Sequence, residues 1–205
     1  MRIPLLAPPL CWGCHGPSPS AEPLCARCRA SLRWLRPPGA PVAGLDAFAP
    51  LAYQGPAREL VRALKYRGAR ALAETMAAQI AANAPRVQGV TLVPVPLHPS
   101  RARKRGFNQA VLLAEAVGER LGLEVADCLE RCGRGPAQVG RTRAARVAGA
   151  HGEIRVREGA RAPPRAVLVD DVITTGATLA GCAAALRASG SREVTALAYA
   201  RTLAR

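Results

Sequence analysis

Apolar positions change period several times along this chain. Residues 57–65 put Leu60, Val61 and Leu64 on one helical face, with Pro56 suited to the first turn and Gly68 to the end. Residues 69–82 predict a second helix, with Leu72, Met76 and Ile80 spaced four apart. Asn108 is placed to cap a third over 109–121, with Val111, Leu112, Ala116 and Leu121 inward and Gly122 as its stop. A fourth is expected over 178–189, closed by Gly190. Between them lie short, mainly apolar runs at 90–95, 123–128, 166–169 and 194–199. Runs without alternation suit parallel strands covered on both faces. Helices alternating with such strands predict an α/β fold, a parallel sheet flanked by helices.

The chain has 205 residues, 49% of them hydrophobic. That suffices for one packed domain plus a small appendage and excludes general disorder. No run of about 18 uncharged apolar residues occurs, so no transmembrane segment is expected. The start, residues 1–10, is apolar but broken by Pro4, Pro8 and Pro9, unlike a secretory leader. A cytoplasmic protein is expected. The formal charge of +15 favours anionic partners such as phosphates, nucleic acid or a membrane surface. Lysine occurs only at Lys65 and Lys104, so arginine carries nearly all of that charge, and alanine is abundant. The same skew fits a GC-rich coding sequence, so the local placement of cations must decide. Three regions separate. Residues 1–36 hold four cysteines, 37–55 form a Pro/Gly-rich linker that turns apolar over 46–53, and 56–205 form the α/β domain. Within the last, 133–161 is arginine- and glycine-rich and is expected to form a long mobile loop with room for a hairpin.

Cys11 and Cys14, then Cys25 and Cys28, form two C-x2-C pairs with ten residues between them. Each pair makes a knuckle whose thiolates converge, and two knuckles close a tetrahedral Zn2+ site. A region of about 30 residues holds too little core to fold unaided, so metal would supply the folding energy. Four thiolates leave no open coordination position, which makes the zinc structural. Disulfides and a thioredoxin-like redox pair are the alternatives, although no strand precedes Cys11 as the latter needs. Cys128, Cys132 and Cys182 are expected as core or loop thiols, and His15 as a bystander.

The sharpest chemical signal is 166–178. An apolar strand delivers Asp170 and Asp171 at its C-terminal end, where open parallel sheets bind ligands. Thr174, Thr175, Gly176, Ala177 and Thr178 then turn into a helix. Backbone N–H groups and three hydroxyls at a positive helix terminus suit a phosphate monoester. Gly176 allows close approach to the anion. The carboxylates accept hydrogen bonds from vicinal sugar hydroxyls, or hold Mg2+ through water. The unit fits a ribose 5-phosphate. Each residue alone is as well explained by an ordinary strand-to-helix turn. The whole string resembles the phosphoribosyl pyrophosphate (PRPP) motif of type I phosphoribosyltransferases.

A basic stretch follows the earlier strand. Pro94 and Pro96 end that strand, because proline cannot donate to a central ladder. A loop with Arg101, Arg103, Lys104 and Arg105 comes next, before Asn108 opens a helix. Cations at a strand end facing the first site would neutralise a pyrophosphate, arginine by forked hydrogen bonds and lysine as a point charge. A solvated basic loop or a nucleic-acid patch is the alternative.

The strings VPVPLHPSRARKRGFNQ at 93–109 and VDDVITTGAT at 169–178 closely resemble the competence protein F (ComF) family. The cysteine quartet, Leu64-Lys65-Tyr66 and Ala198-Tyr199-Ala200-Arg201 extend the resemblance over essentially the whole chain. It implies a zinc ribbon joined to a type I phosphoribosyltransferase-like domain that handles incoming single-stranded DNA during natural transformation. It implies PRPP with Mg2+ as ligand, with Asp170, Asp171 and Arg101 at the reacting centre. Pro96, Arg103, Lys104, Arg105 and 174–178 are further PRPP contacts. Other DNA-uptake proteins are implied partners, at the inner face of the membrane. The alternative is a transferase of nucleotide metabolism that moves ribose 5-phosphate to a base or amine. Phe107, Arg141, Arg143 and Arg146 are nucleic-acid candidates, since aromatics beside arginine stack on unpaired bases. Family members carry Gln, then Arg and Asn, then Gly-Ala-Phe across the long loop. Here Gln138 and Gly149-Ala150 remain, but Arg146 falls near the expected Asn and His151 replaces the aromatic. No nucleobase pocket is evident. With little chain after Tyr199, a hood over the sugar would come from 31–68 or the ribbon. Trp34, Phe48, Tyr53 and Tyr66 are the large aromatics there, each also explained by core packing.

Overall fold

Three of the four apolar runs become parallel strands, because helices cover both faces of the sheet they form. A computed structural model describes residues 9–18, 22–85, 88–132 and 154–203. In chain order these fold as α1 (Ala26–Ala30), β1 (Gly39–Val42), β2 (Leu45–Phe48), β3 (Leu51–Ala52), α2 (Gly55–Tyr66) and α3 (Leu72–Ala81). Then follow β4 (Thr91–Pro94), α4 (Pro99–Arg105), α5 (Gln109–Leu121), β5 (Leu129–Arg131) and β6 (Ile154–Val156). The chain closes with β7 (Arg165–Ile173), α6 (Ala177–Ala188) and β8 (Glu193–Arg201). The sheet order is β1-β2-β8-β7-β4. β2, β8, β7 and β4 run parallel, β3 continues beside β8 beyond β2, and β1 is an antiparallel edge. The expected α/β class is met. Residues 39–52 are themselves strands of this sheet.

Strand period 2 divides the core. Leu92, Val167, Val169, Leu197 and Tyr199 join residues of α2, α3 and α5 in one cluster. Val93, Ala166, Leu168, Ala196 and Ala198 join α6 and Cys128 and Leu129 in the other. Each fully buried Leu or Val contributes roughly 1.5–3 kcal/mol. Cys11, Leu24, Cys28 and Leu32 belong to the first cluster, so the cysteine module is seated on the body. Cys128 and Cys182 are core thiols as expected, and Cys132 is half-buried.

α5 has the predicted bounds. Asn108 Oδ1 accepts from the Ala110 N–H at 3.0 Å, and Gly122 ends the helix at φ +66°. Its inner face differs. Leu113 and Val117 are fully buried while Val111 and Leu112 are only half-buried. The helix packs against both α3 and β7, which turns a different stripe inward.

Two other expectations are corrected. The run 123–128 is not a strand of the sheet. It touches β4 through one parallel bridge, Leu92 with Val125, before the chain leaves to pair β5 with β6. It is held down on α5 instead: a Cβ on Gly118 would lie 2.7 Å from the Leu123 carbonyl oxygen, so only glycine permits that approach. The basic stretch is not a loop but the short helix α4. His98 Nδ1 accepts from the Ser100 N–H, Pro99 opens the first turn, and Arg103, Lys104 and Arg105 lie in the last turn, favourable for the helix dipole. Among the described residues no helix is long and apolar enough to cross a membrane.

Candidate functional site

Parallel strands bring their C-terminal ends to one edge, and a cavity of about 220 Å3 opens there. Pro96 and Arg101 line it from the segment after β4, and Asp170, Asp171, Thr174 and Thr178 from β7 and α6. The other predicted contacts, Thr175, Gly176, Ala177, Arg103, Lys104 and Arg105, are not among its lining residues. Tyr53, a hood candidate from sequence, lines it as well, as do Lys65, Gln109 and Arg131, which the sequence does not single out for the ligand. Those three come from α2, α5 and β5, so no spacing rule links them to the acidic pair. A larger cavity of about 460 Å3, between the ends of α3 and α5 and the β1–β2 hairpin, is mostly apolar and has no converging charged groups.

Strand alternation separates the two acids. Asp171 shares a face with Val167 and Val169, and its Oδ2 lies 2.5 Å from Lys65 Nζ of α2. The side chains are 3% and 19% exposed. Burial pulls the Lys65 pKa down, but Asp171 outweighs it and the net shift of the lysine is upward. Asp170 shares the opposite parity with Ala166 and Leu168. Its pKa is pushed well above the usual carboxylate range by burial and then by Asp171, against the opposing pull of Lys65. The Asp171 N–H donates to Asp170 Oδ1 at 2.8 Å. Neighbouring carboxyls thus have unlike settings, the arrangement that divides roles between paired acids.

Arg131 reaches the cavity from β5. Burial lowers its pKa, and its electrostatic neighbours are Cys182, Arg101 and Asp170. Two guanidinium groups therefore line one cavity, which suits a multiply charged anion. Arg105 donates to Gln109 Oε1 and stacks 5.4 Å from the Tyr66 ring centre, so it acts on the cavity wall rather than lining it.

At the threonine turn, Gly176 caps α6 at φ +76°. A Cβ there would meet Val42 Cγ1 at 2.5 Å and Ala43 Cβ at 3.0 Å. The space freed by this glycine is taken by the tip of the β1–β2 hairpin, a requirement that spacing did not reveal. The Thr175 hydroxyl accepts from the Ala177 N–H at 3.4 Å.

Among the nucleic-acid candidates, Phe107 lies under the Arg70 guanidinium at 4.7 Å. Arg70 also lines a cleft of about 480 Å3 with Leu10 and Trp12 of the cysteine module. Arg141, Arg143 and Arg146 lie outside the described residues, as do Gln138, Gly149, Ala150 and His151. Core packing does not account for all the aromatics, since Tyr66 is 72% exposed and Trp34 is 39% exposed. Phe48 and Tyr53 are half-buried.

The four cysteines converge. Their Sγ atoms all lie within 4.8 Å of one another, and Cys14 and Cys25 are 3.8 Å apart. Zn–S bonds of about 2.3 Å in a tetrahedron give an S···S edge of about 3.8 Å, so the donor set fits Zn2+. Cys11 Sγ accepts from the N–H groups of Gly13 and Cys25, each at 3.3 Å. Burial raises the Cys11 pKa, but hydrogen bonds from the Cys25, Cys14 and Gly13 N–H groups outweigh it and bring it to about 6. A thiolate is the form a metal binds. Gly13 is needed because a Cβ would stand 2.9 Å from Cys28 Sγ.

No protein-family profile matches the chain. The competence protein ComFC of Streptococcus pneumoniae is 27% identical over 158 residues, which is 77% of this chain and 69% of that protein. Among solved structures, the glutamine PRPP amidotransferase of B. subtilis is 21% identical over 61% of this chain, with a TM-score of 0.43. The chain spans only 26% of that enzyme's length. The adenine phosphoribosyltransferase of Thermoanaerobacter pseudethanolicus is 18% identical and covers 83% of each chain, with a TM-score of 0.38. These structural likenesses add nothing to the topology already described. The sequence match, the converging cysteines and the mostly parallel sheet bear out the resemblance: the chain is similar to the competence protein ComFC over most of its length, and a four-cysteine amino-terminal module is joined to an α/β body with a mostly parallel sheet.

Proposed function

We propose that the cavity binds PRPP or a related phosphorylated pentose, and that the chain is a PRPP-binding protein handling incoming single-stranded DNA. One observation carries the first half. A space of about 220 Å3 is ringed by hydroxyl acceptors (Asp170, Asp171), phosphate donors (Thr174, Thr178) and two guanidinium groups (Arg101, Arg131). The acids take the ribose hydroxyls, the threonines and the α6 N-terminus take the 5-phosphate, and the arginines take the diphosphate. Asp171 already carries the Lys65 ammonium, so it does not fit a directly bound Mg2+. Mg2+ accompanies the ligand's own diphosphate. Calorimetry with PRPP and Mg2+ tests the reading. Heat of binding is expected for the natural chain and none for D170N/D171N. Absence of heat from the natural chain removes the proposal.

The DNA half rests on the name of the curated relative, the +15 charge and the arginine–aromatic stacks at Phe107 and Tyr66. Other DNA-uptake proteins, at the inner face of the membrane, are the partners this reading implies. Gel shifts with single- and double-stranded DNA should show affinity that falls steeply as salt rises, because phosphate contacts release counterions. Affinity indifferent to salt rejects it. A second reading, turnover of PRPP, is favoured by the two arginines that would stabilise a leaving pyrophosphate. Release of pyrophosphate on addition of base, amine or nucleic-acid acceptors tests it.

A further inference from the structure

Lys65 is left unexplained by the ligand contacts above. It is one of only two lysines in a chain whose other basic residues are arginine, and it comes from α2, outside both signature strings. Its ammonium lies 2.5 Å from Asp171 Oδ2, and both residues line the cavity. Adjacent carboxylates that accept a sugar diol repel one another when ionised, so their charge must be offset. In many sites a divalent cation does this from a carboxylate oxygen. Here that oxygen is in contact with an ammonium which is 81% removed from solvent, as its 19% exposure requires. A divalent ion on the same oxygen would press against a like charge in a poorly solvated place. Lysine suits the position because its charge is compact, whereas the guanidinium fork is broad and planar.

Resting on the phosphorylated-pentose reading, we propose that Lys65 is the resident counter-ion of the diol site. It offsets the charge of Asp171 and keeps that carboxyl aimed at the sugar, and it takes the place of a protein-bound divalent cation. A phosphorylated pentose that lacks a diphosphate therefore binds without metal. Lys65 is a positioning residue, acting through Asp171.

The probe is ribose 5-phosphate, titrated calorimetrically into the full zinc-loaded chain with and without Mg2+. The Mg2+-free buffer contains no strong chelator, so the cysteine cluster keeps its ion. For the natural chain, added Mg2+ should change the affinity by less than about twofold, whereas K65M should lose about tenfold without Mg2+ and regain part of it when Mg2+ is added. Mn2+ titrated in its place should be held by K65M, by electron paramagnetic resonance, and not by the natural chain. A natural chain that gains tenfold or more from Mg2+ overturns the role, as does K65M binding normally without it. If K65M does not fold, the metal response of the natural chain still decides. Absence of ribose 5-phosphate binding in both buffers sinks the pentose reading itself, and this role with it.

Discussion

The cysteine cluster and the phosphosugar cavity are built in opposite ways. The cluster draws every donor from residues 11–28, and its two C-x2-C knuckles set the sulfur distances locally. The cavity draws on residues from Tyr53 to Thr178, across the segment after β4, strand β7, helices α2, α4, α5 and α6, and the β5–β6 hairpin. The cluster's four ligands are equivalent in kind. The cavity's two carboxyls are chemical twins made unequal by strand parity, one carrying Lys65 and the other left to burial. A site defined by chain spacing can be read in advance. A site defined by convergence acquires its electrostatics only when remote elements arrive.

The largest effect should come from breaking the cluster. Loss of a structural metal site is among the few single changes that cost more than about 4 kcal/mol. C28S, or a strong chelator, should expose residues 22–36 to protease. It should also lower the melting temperature of the body, because Cys11, Cys28 and Leu32 share its core. A body transition insensitive to metal would separate the cysteine module from the stability of the body.

Within the cavity, the twin acids should respond in opposite directions. D171N strands a mostly buried ammonium and should cost about 3 kcal/mol. D170N removes a charge that burial disfavours, so it should leave stability unchanged or raise it at neutral pH. The sign follows from linkage. Asp170 has a folded pKa raised above the unfolded value of about 3.9, so both states are protonated in strong acid and the natural chain bears no penalty there. As pH rises through the raised value, the natural chain loses that stability and D170N does not. Urea unfolding at several pH values should show the advantage of D170N growing from acid toward neutrality. Equal penalties for the two variants would abolish the asymmetry.

G176A should cost about 2 kcal/mol, from strain at positive φ and collision with Val42. V42A in the same chain should recover the collision part, and a double-mutant cycle in chemical denaturation measures it. N108A is the mildest test, at about 1 kcal/mol for a lost cap. Because Asn108 Nδ2 also donates to the Val95 carbonyl at 3.0 Å, the same change should weaken PRPP binding by loosening the segment that carries Pro96. Unchanged affinity would confine Asn108 to helix capping.

Much of this is legible in the sequence, and the legible part is local. Asn108 and Gly122 bracket α5 as expected because caps act within a few residues of the helix they end. The apolar runs at 166–169 and 194–199 read as buried parallel strands because their composition already implied cover on both faces. The run at 123–128 reads alike but is not a strand: Glu124 and Asp127 interrupt it and are exposed, and Leu123 and Val125 lie half-buried against Gly118 of α5.

By itself the sequence determined the limits of α5, the cysteine quartet and the acid-threonine turn, all of which rest on residues close in the chain. Only the tertiary structure decided that Lys65 meets Asp171 across 106 positions (171 less 65), that Arg131 joins Arg101, and that the β1–β2 hairpin closes on Gly176. Alternation says that neighbouring strand residues point to opposite faces, but not which face α2 will cover. That choice belongs to the packing of the whole chain, and it is what pairs one aspartate with Lys65 and leaves burial to push up the pKa of its neighbour.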